Sequence, residues 1–96
     1  MAQLLHLLHY DYVENIVERR APHRAEHLEL IGEWVADGRV VAGGATGDPP
    51  AGALIVFREG ADPEAFVAID PYVREGLVTS WRVEPWTVAA GGVPPA

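Results

Sequence analysis

The chain has 96 residues, 49% of them apolar, and carries 14 acidic against 7 basic side chains for a formal charge of −7. That length holds one domain. The acidic balance, with no cluster of arginines to counter it, argues against a nucleic-acid partner. Every basic residue is arginine and there is no cysteine. Lysine Schiff bases, Walker-type phosphate loops, thiol nucleophiles, disulfides and thiolate metal sites are therefore excluded.

The opening MAQLLHLLHY has no basic stretch and no small-residue cleavage motif. It turns polar too soon for a signal peptide or a membrane span, so the expectation is a cytoplasmic protein with no membrane partner. Leu4 to Tyr10 reads as a first strand. Its leucines fall at both parities, as in a central strand buried on two faces. Asp11 to Arg20 is a polar connector with room for one helical turn. Pro22 suits the first turn of a helix running to Ala36. Leu28, Ile31 and Val35 form its apolar stripe with Trp34 at the edge, and Glu26, Glu29 and Glu33 lie on the exposed side. Asp37-Gly38 ends it.

Arg39 to Ala45 is a second strand carrying Val40 and Val41; Gly43, Gly44 and Gly47 come after these valines, and Asp48-Pro49-Pro50 is a rigid loop. These glycines serve either turn geometry alone or the rim of a pocket. Ala53 to Phe57 is a third strand. Asp62-Pro63-Glu64 starts a second helix, with Asp62 as its N-cap and Phe66, Val67 and Ile69 facing inward. Asp70 caps a new turn headed by Pro71 and closed by Gly76. Leu77 to Val88 is the last strand, which Pro85 bends or terminates. Residues 1–88 form the domain, and 89–96 a small, turn-rich, flexible tail.

Strand, helix, strand, strand, helix, strand is the order of a ferredoxin-like βαββαβ fold of the α+β class. Its four-stranded antiparallel sheet carries two main helices on one face. The other face has no cover within the chain, and a second copy, in a homodimer, is the expected cover.

All four histidines lie in the first 27 residues. His6 and His9 are three apart on a strand and point to opposite faces. His9, at the strand's end, is the better candidate to touch a substrate. His23 and His27 sit one turn apart on the helix, but the Arg24-Ala25-Glu26 between them lacks the zinc-hydrolase pattern, and no metal or cofactor is expected. His27 borders the buried face. It is either a satisfied boundary histidine or a general acid or base oriented by a carboxylate. Asp70 supplies that carboxylate, and it can be a helix cap at the same time. Arg24, one turn before His27, can hold an anionic group or pair with a surface carboxylate. Tyr72 lines a pocket or packs in the core. Ser80 lacks a nucleophile-elbow context and is expected, with His9 and Tyr72, to bind substrate.

Arg24-Ala25-Glu26-His27-Leu28, then Gly38-Arg39-Val40-Val41-Ala42-Gly43-Gly44, then Asp70-Pro71-Tyr72 with Gly76-Leu77 resemble the YCII-related, or YciI-like, family in order and spacing. The resemblance implies a dimeric α+β barrel of ferredoxin-like domains. It also implies an active site on a histidine and an aspartate, here His27 and Asp70, with Arg24 matching the arginine that precedes the histidine. Gly43-Gly44 stands where such proteins usually have Gly-Pro. One branch of the family resembles a cofactor-independent dehydrochlorinase acting on a chlorinated hydroxyhydroquinone. Two readings follow. One is a small cofactor-independent enzyme moving a proton on a small aromatic or enolisable substrate. The other is a non-catalytic dimer that binds a small ligand or regulates a neighbour.

Overall fold

The computed structural model describes residues 3–94. Elements follow in the order β1 (Gln3–Tyr12), α1 (Ile16–Arg19), α2 (Arg24–Ala36), β2 (Val40–Thr46), β3 (Gly52–Arg58), α3 (Pro63–Ile69), α4 (Pro71–Arg74) and β4 (Val78–Val88), with a 3-10 turn, Ala21–His23, ahead of α2. The sheet order is β2-β3-β1-β4 and every neighbouring pair is antiparallel. This is the ferredoxin-like arrangement, with helices packed on one face of the sheet.

Strand parity decides what each face receives. Leu8 and Tyr10 of β1 stand opposite Ile55 and Ala53 of β3 and share the inner face. Leu7 and His9 stand opposite Val56 and Leu54 and share the outer one. The core forms where Trp34 of α2 and Phe66 and Val67 of α3 settle on Leu8, Tyr10, Ile55 and Phe57. Trp34 meets Phe57 and Phe66 edge-on, at centroid distances of 5.9 and 5.2 Å, the favoured geometry for aromatic quadrupoles. Gly52 is required where β3 crosses β1, because a Cβ there would collide with the carbonyl oxygen of Tyr10.

The helical stripe differs from the sequence expectation. Leu28 and Val35 are exposed, at 48% and 43%, and Trp34 is buried at 4%. The buried face of α2 is His27, Leu30, Ile31 and Trp34, a set with the same three-and-four spacing but rotated on the helix. Trp34 offers more area than either aliphatic and finds two aromatic partners, Phe57 and Phe66, which favours this rotation of the helix. Ile69 is also exposed rather than inward, since it lies outside the arc that Pro63, Phe66 and Val67 present to the sheet. Pro85 neither ends nor interrupts the last strand. It sits opposite His6 on β4, an edge strand where a missing N–H costs no ladder bond on the open side.

The C-terminal segment outside the core has defined contacts. Val93 exchanges two hydrogen bonds with the Gln3 side chain, of 2.9 and 3.1 Å, and Arg58 donates to the carbonyl of Pro94 at 2.7 Å. Of the expected tail, Pro95 and Ala96 lie outside the described residues. No helix among the described residues is long and apolar enough to cross a membrane.

Candidate active site

Asp70 stands at the junction of α3 and α4, where its extended backbone turns the chain and Pro71 starts the next helix. Its side chain caps α4 by accepting the Tyr72 N–H at 3.0 Å. An N-cap aspartate needs only one such bond, and Asp62 at the head of α3 does that work exposed to water. Asp70 is 1% exposed. Burial leaves its remaining lone pairs to be satisfied by protein. His27 Nδ1 donates to Oδ1 at 2.7 Å, and the Tyr10 hydroxyl donates to Oδ2 at 2.7 Å. An ionised carboxylate only accepts, which assigns the proton of the His27–Asp70 bond to Nδ1 and leaves Nε2 as the other ring nitrogen.

The imidazole of His27 stacks face to face on the Tyr72 ring, 3.7 Å between centroids and 6° from parallel. Tyr12 meets Tyr72 edge-on at 6.0 Å and lies tilted against Tyr10 at 6.2 Å. The chain has three tyrosines and all three surround this histidine–aspartate pair. Burial, first, and then the Asp70 carboxylate push the Tyr10 phenol far above its ordinary value. Burial also raises Tyr12 and Tyr72, and the positive charges of Arg20 and Arg24 partly offset that rise in both. The Tyr72 hydroxyl is buried and has no hydrogen-bond partner among the described residues.

These groups line a partly open cavity of about 230 Å³ between α2 and the sheet. Arg20, Arg24 and His27 form its polar side, Tyr12 and Tyr72 one wall, and Ile31, Ile55, Gly43 and Gly44 the apolar remainder. Gly43 keeps the floor low: a Cβ there would press on Ile55 at 3.3 Å and reach ordinary contact with Ile31 at 3.7 Å. The two glycines after the start of β2 therefore lie at a pocket wall as well as in a strand. Among the described residues, no three His, Asp or Glu side chains converge as metal ligands would. His23 lies 4.0 Å from Glu75, while the neighbouring His27 is turned to Asp70.

The YCII-related domain family matches residues 4–87. The chain belongs to this family. Among solved structures, this YCII-related chain is similar to 5-chloro-2-hydroxyhydroquinone dehydrochlorinase (TftG) from Burkholderia phenoliruptrix AC1100, determined in complex with 2,5-dihydroxybenzoquinone. The TM-score is 0.69 at 24% identity, over 85% of this chain and 92% of that one. It is also similar to NE2512, a protein of unknown function from Nitrosomonas europaea, with a TM-score of 0.59 at 19% identity over 100% of this chain and 98% of that one. At such identities these likenesses show the fold. No functionally curated protein matches the chain.

Of the residues singled out from the sequence of this YCII-related domain, His27, Asp70, Arg24 and Tyr72 come together. His9 and Ser80 do not join them. Both stand on the outer face of the sheet, where His9 bonds Glu84 at 2.8 Å and Ser80 donates to Asp11 at 2.6 Å. Strand parity is the reason: His9 and the inward Tyr10 are neighbours in sequence and so point to opposite sides. Sequence reasoning missed Tyr10, Tyr12 and Arg20. For Tyr10 and Tyr12 a signal existed, since both share the parity of Leu8, which faces the helices. Arg20 had none, because it sits in a stretch with no periodic pattern.

Proposed function

We propose that this chain is a small enzyme, working without a cofactor, that moves a proton on a small aromatic or enolisable substrate in a lyase or dehydrochlorinase-like step. The observation that carries this reading is the buried His27–Asp70 bond of 2.7 Å on the wall of a cavity, with Nε2 uncommitted. An imidazole held in one tautomer by a carboxylate is a general base at the other nitrogen. In a dehydrochlorination, Nε2 accepts a proton from the substrate. The electron pair of the broken bond forms a new double bond, and the carbon–chlorine pair leaves with chloride. Hydrogen chloride is lost in sum, with no oxidant or reductant. Asp70 balances the imidazolium that forms, and Arg24 offsets negative charge building on the substrate. The name of the similar dehydrochlorinase makes chlorinated hydroquinones the first substrates to try.

The same reading pairs two copies through the outer face of the sheet. Leu7, Leu54 and Val56 lie there only half-buried, and Trp86 is 46% exposed. A dimer in solution that Val56→Glu converts to monomer supports this pairing, and a monomeric wild-type chain contradicts it.

The test is chloride release, and deuterium uptake from solvent, measured over a panel of chlorinated hydroquinones and enolisable carbonyl compounds. General acid–base catalysis contributes about 10²- to 10⁴-fold, so His27→Gln is expected to lower turnover by roughly that factor. Turnover unchanged in His27→Gln contradicts the reading. Ligand binding without turnover across the panel points instead to a non-catalytic binding protein.

A further inference from the structure

Three of the chain's arginines are held by carboxylates: Arg39 by Asp37 at 2.6 Å, Arg74 by Glu26 at 3.1 Å and Arg82 by Glu84 at 3.3 Å. Arg58 is held by the carbonyl of Pro94. In a chain with twice as many acidic as basic side chains, this is the expected fate of a guanidinium. Arg20 and Arg24 depart from it. Neither has a carboxylate partner among the described residues, and both line the His27 cavity. Arg19 is likewise without a carboxylate, but it does not line the cavity. Two unneutralised guanidiniums at one cavity of an acidic protein concentrate positive potential there.

A second observation is independent of charge. Tyr72, a residue 1% exposed, lines the same cavity, and its buried hydroxyl has no hydrogen-bond partner among the described residues. A buried polar atom without a partner is uncommon in a folded protein and calls for a missing ligand or water. Burial holds this phenol protonated, so it is a donor. Two guanidiniums and one phenol supply many donors with no carboxylate among them.

We infer that this cavity takes a substrate that arrives as an oxyanion, a carboxylate or an ionised ring hydroxyl, held by Arg20 and Arg24 with the Tyr72 hydroxyl donating to it. The inference rests on the proposed function for the identity of the reacting nitrogen and adds to it the class of substrate. Arg20 and Arg24 set the charge of what enters, and the apolar Ile31 and Ile55 with the bare Gly43 accept its ring. Binding the anion next to Nε2 also prepares the site for the further negative charge that proton removal creates. Neutral molecules of the same shape leave both guanidiniums unanswered and bind poorly.

The test is equilibrium binding of benzoate and of its neutral counterpart benzamide, by calorimetry or by NMR, to the wild-type chain and to Arg20→Gln, Arg24→Gln, Tyr72→Phe and His27→Gln. A parallel series uses 4-nitrophenol on either side of its ionisation, which separates a phenolate preference from a carboxylate one. Charge-assisted hydrogen bonds are strong enough that each arginine variant is expected to weaken the anion about 10- to 100-fold and to leave benzamide unchanged. Tyr72→Phe is expected to weaken it less, and higher salt to weaken it further. Selective binding of either anion supports the inference and tells which oxyanion is preferred. Equal binding of anion and neutral counterpart, or arginine variants that bind the anion as the wild type does, overturns it. Thermal midpoints of the arginine variants within error of wild type show that folding is not the cause. His27→Gln is expected to keep anion binding. If the anion binds selectively while the wild-type chain transfers no proton on any substrate, the inference stands and the proposed function fails. If a neutral substrate turns over in a His27-dependent way, unaffected by Arg20→Gln, the function stands and the inference fails.

Discussion

The molecule holds two histidine–carboxylate pairs of nearly the same length. His27 meets Asp70 at 2.7 Å and His9 meets Glu84 at 2.8 Å. Their surroundings differ. The His27 and Asp70 side chains are 7% and 0% exposed, against 29% and 45% for His9 and Glu84. The first pair lies between the helices and the inner face of the sheet, braced by Tyr10, Tyr72 and the cap of α4. The second lies on the outer face, where water competes for both partners and Arg82 shares Glu84. Equal distance therefore does not mean equal consequence. In low dielectric, with the carboxylate also fixed by the Tyr10 hydroxyl and the Tyr72 N–H, a histidine has one orientation and one free nitrogen. On the open face it has several. His27 shares its cavity with Tyr12, Arg20, Arg24 and Tyr72, whereas His9 borders a more open groove on the outer side with Arg82.

The largest expected effect comes from removing the buried carboxylate. Asp70→Ala strands the His27 Nδ1–H, the Tyr10 hydroxyl and the Tyr72 N–H together, and a broken buried pair costs about 3–5 kcal/mol. A urea melt should show a loss of that size. The corresponding change outside, Glu84→Ala, should leave the melt within experimental error, because exposed ion pairs contribute little. A comparable loss in both variants breaks the contrast between the pairs. Next in size is Tyr10→Phe, which removes one of the donors to Asp70 and should cost about 1–2 kcal/mol. Tyr72→Phe, by contrast, deletes a hydroxyl without a hydrogen-bond partner among the described residues, so stability should hold or rise slightly while anion binding weakens. Smallest at neutral pH and growing in alkali is the effect of the phenols. Burial holds Tyr10 and Tyr12 protonated far above their ordinary range, whereas in the unfolded chain they ionise near pH 10. The unfolded state then binds fewer protons, so stability is intact below about pH 10 and falls as pH rises beyond it. Phenolate absorbance that appears without unfolding would contradict this.

Much of this was readable in the residues. The order of strands and helices follows from periodicity and from Asp-Pro and Gly punctuation. His27 and Asp70 stood out as polar groups beside apolar ones. What periodicity could not resolve was rotation. Leu28, Ile31 and Val35 form as good a stripe as His27, Ile31 and Trp34, and choosing between them needs the aromatic pocket made by Phe57 and Phe66 from two distant elements. A histidine on the buried side weakens any hydrophobic count, and its burial is compensated only by an aspartate 43 positions away. The two Asp-Pro caps make the same point. Asp62 and Asp70 are alike as sequence, and only packing shows that one faces water and the other three donors. Arg20 was illegible because its significance lies in lacking a partner, which no local pattern records.

The central claim is that burial and Asp70 hold His27 with its proton on Nδ1 and Nε2 open to the cavity. Long-range proton–nitrogen NMR on the histidine-labelled chain reads this directly, with and without benzoate. The account predicts a His27 ring protonated at Nδ1 and bare at Nε2, whose Nε2 resonance shifts when the anion enters while those of His9 stay in place. A proton on Nε2, or a His27 signal indifferent to the anion that binds, would contradict it.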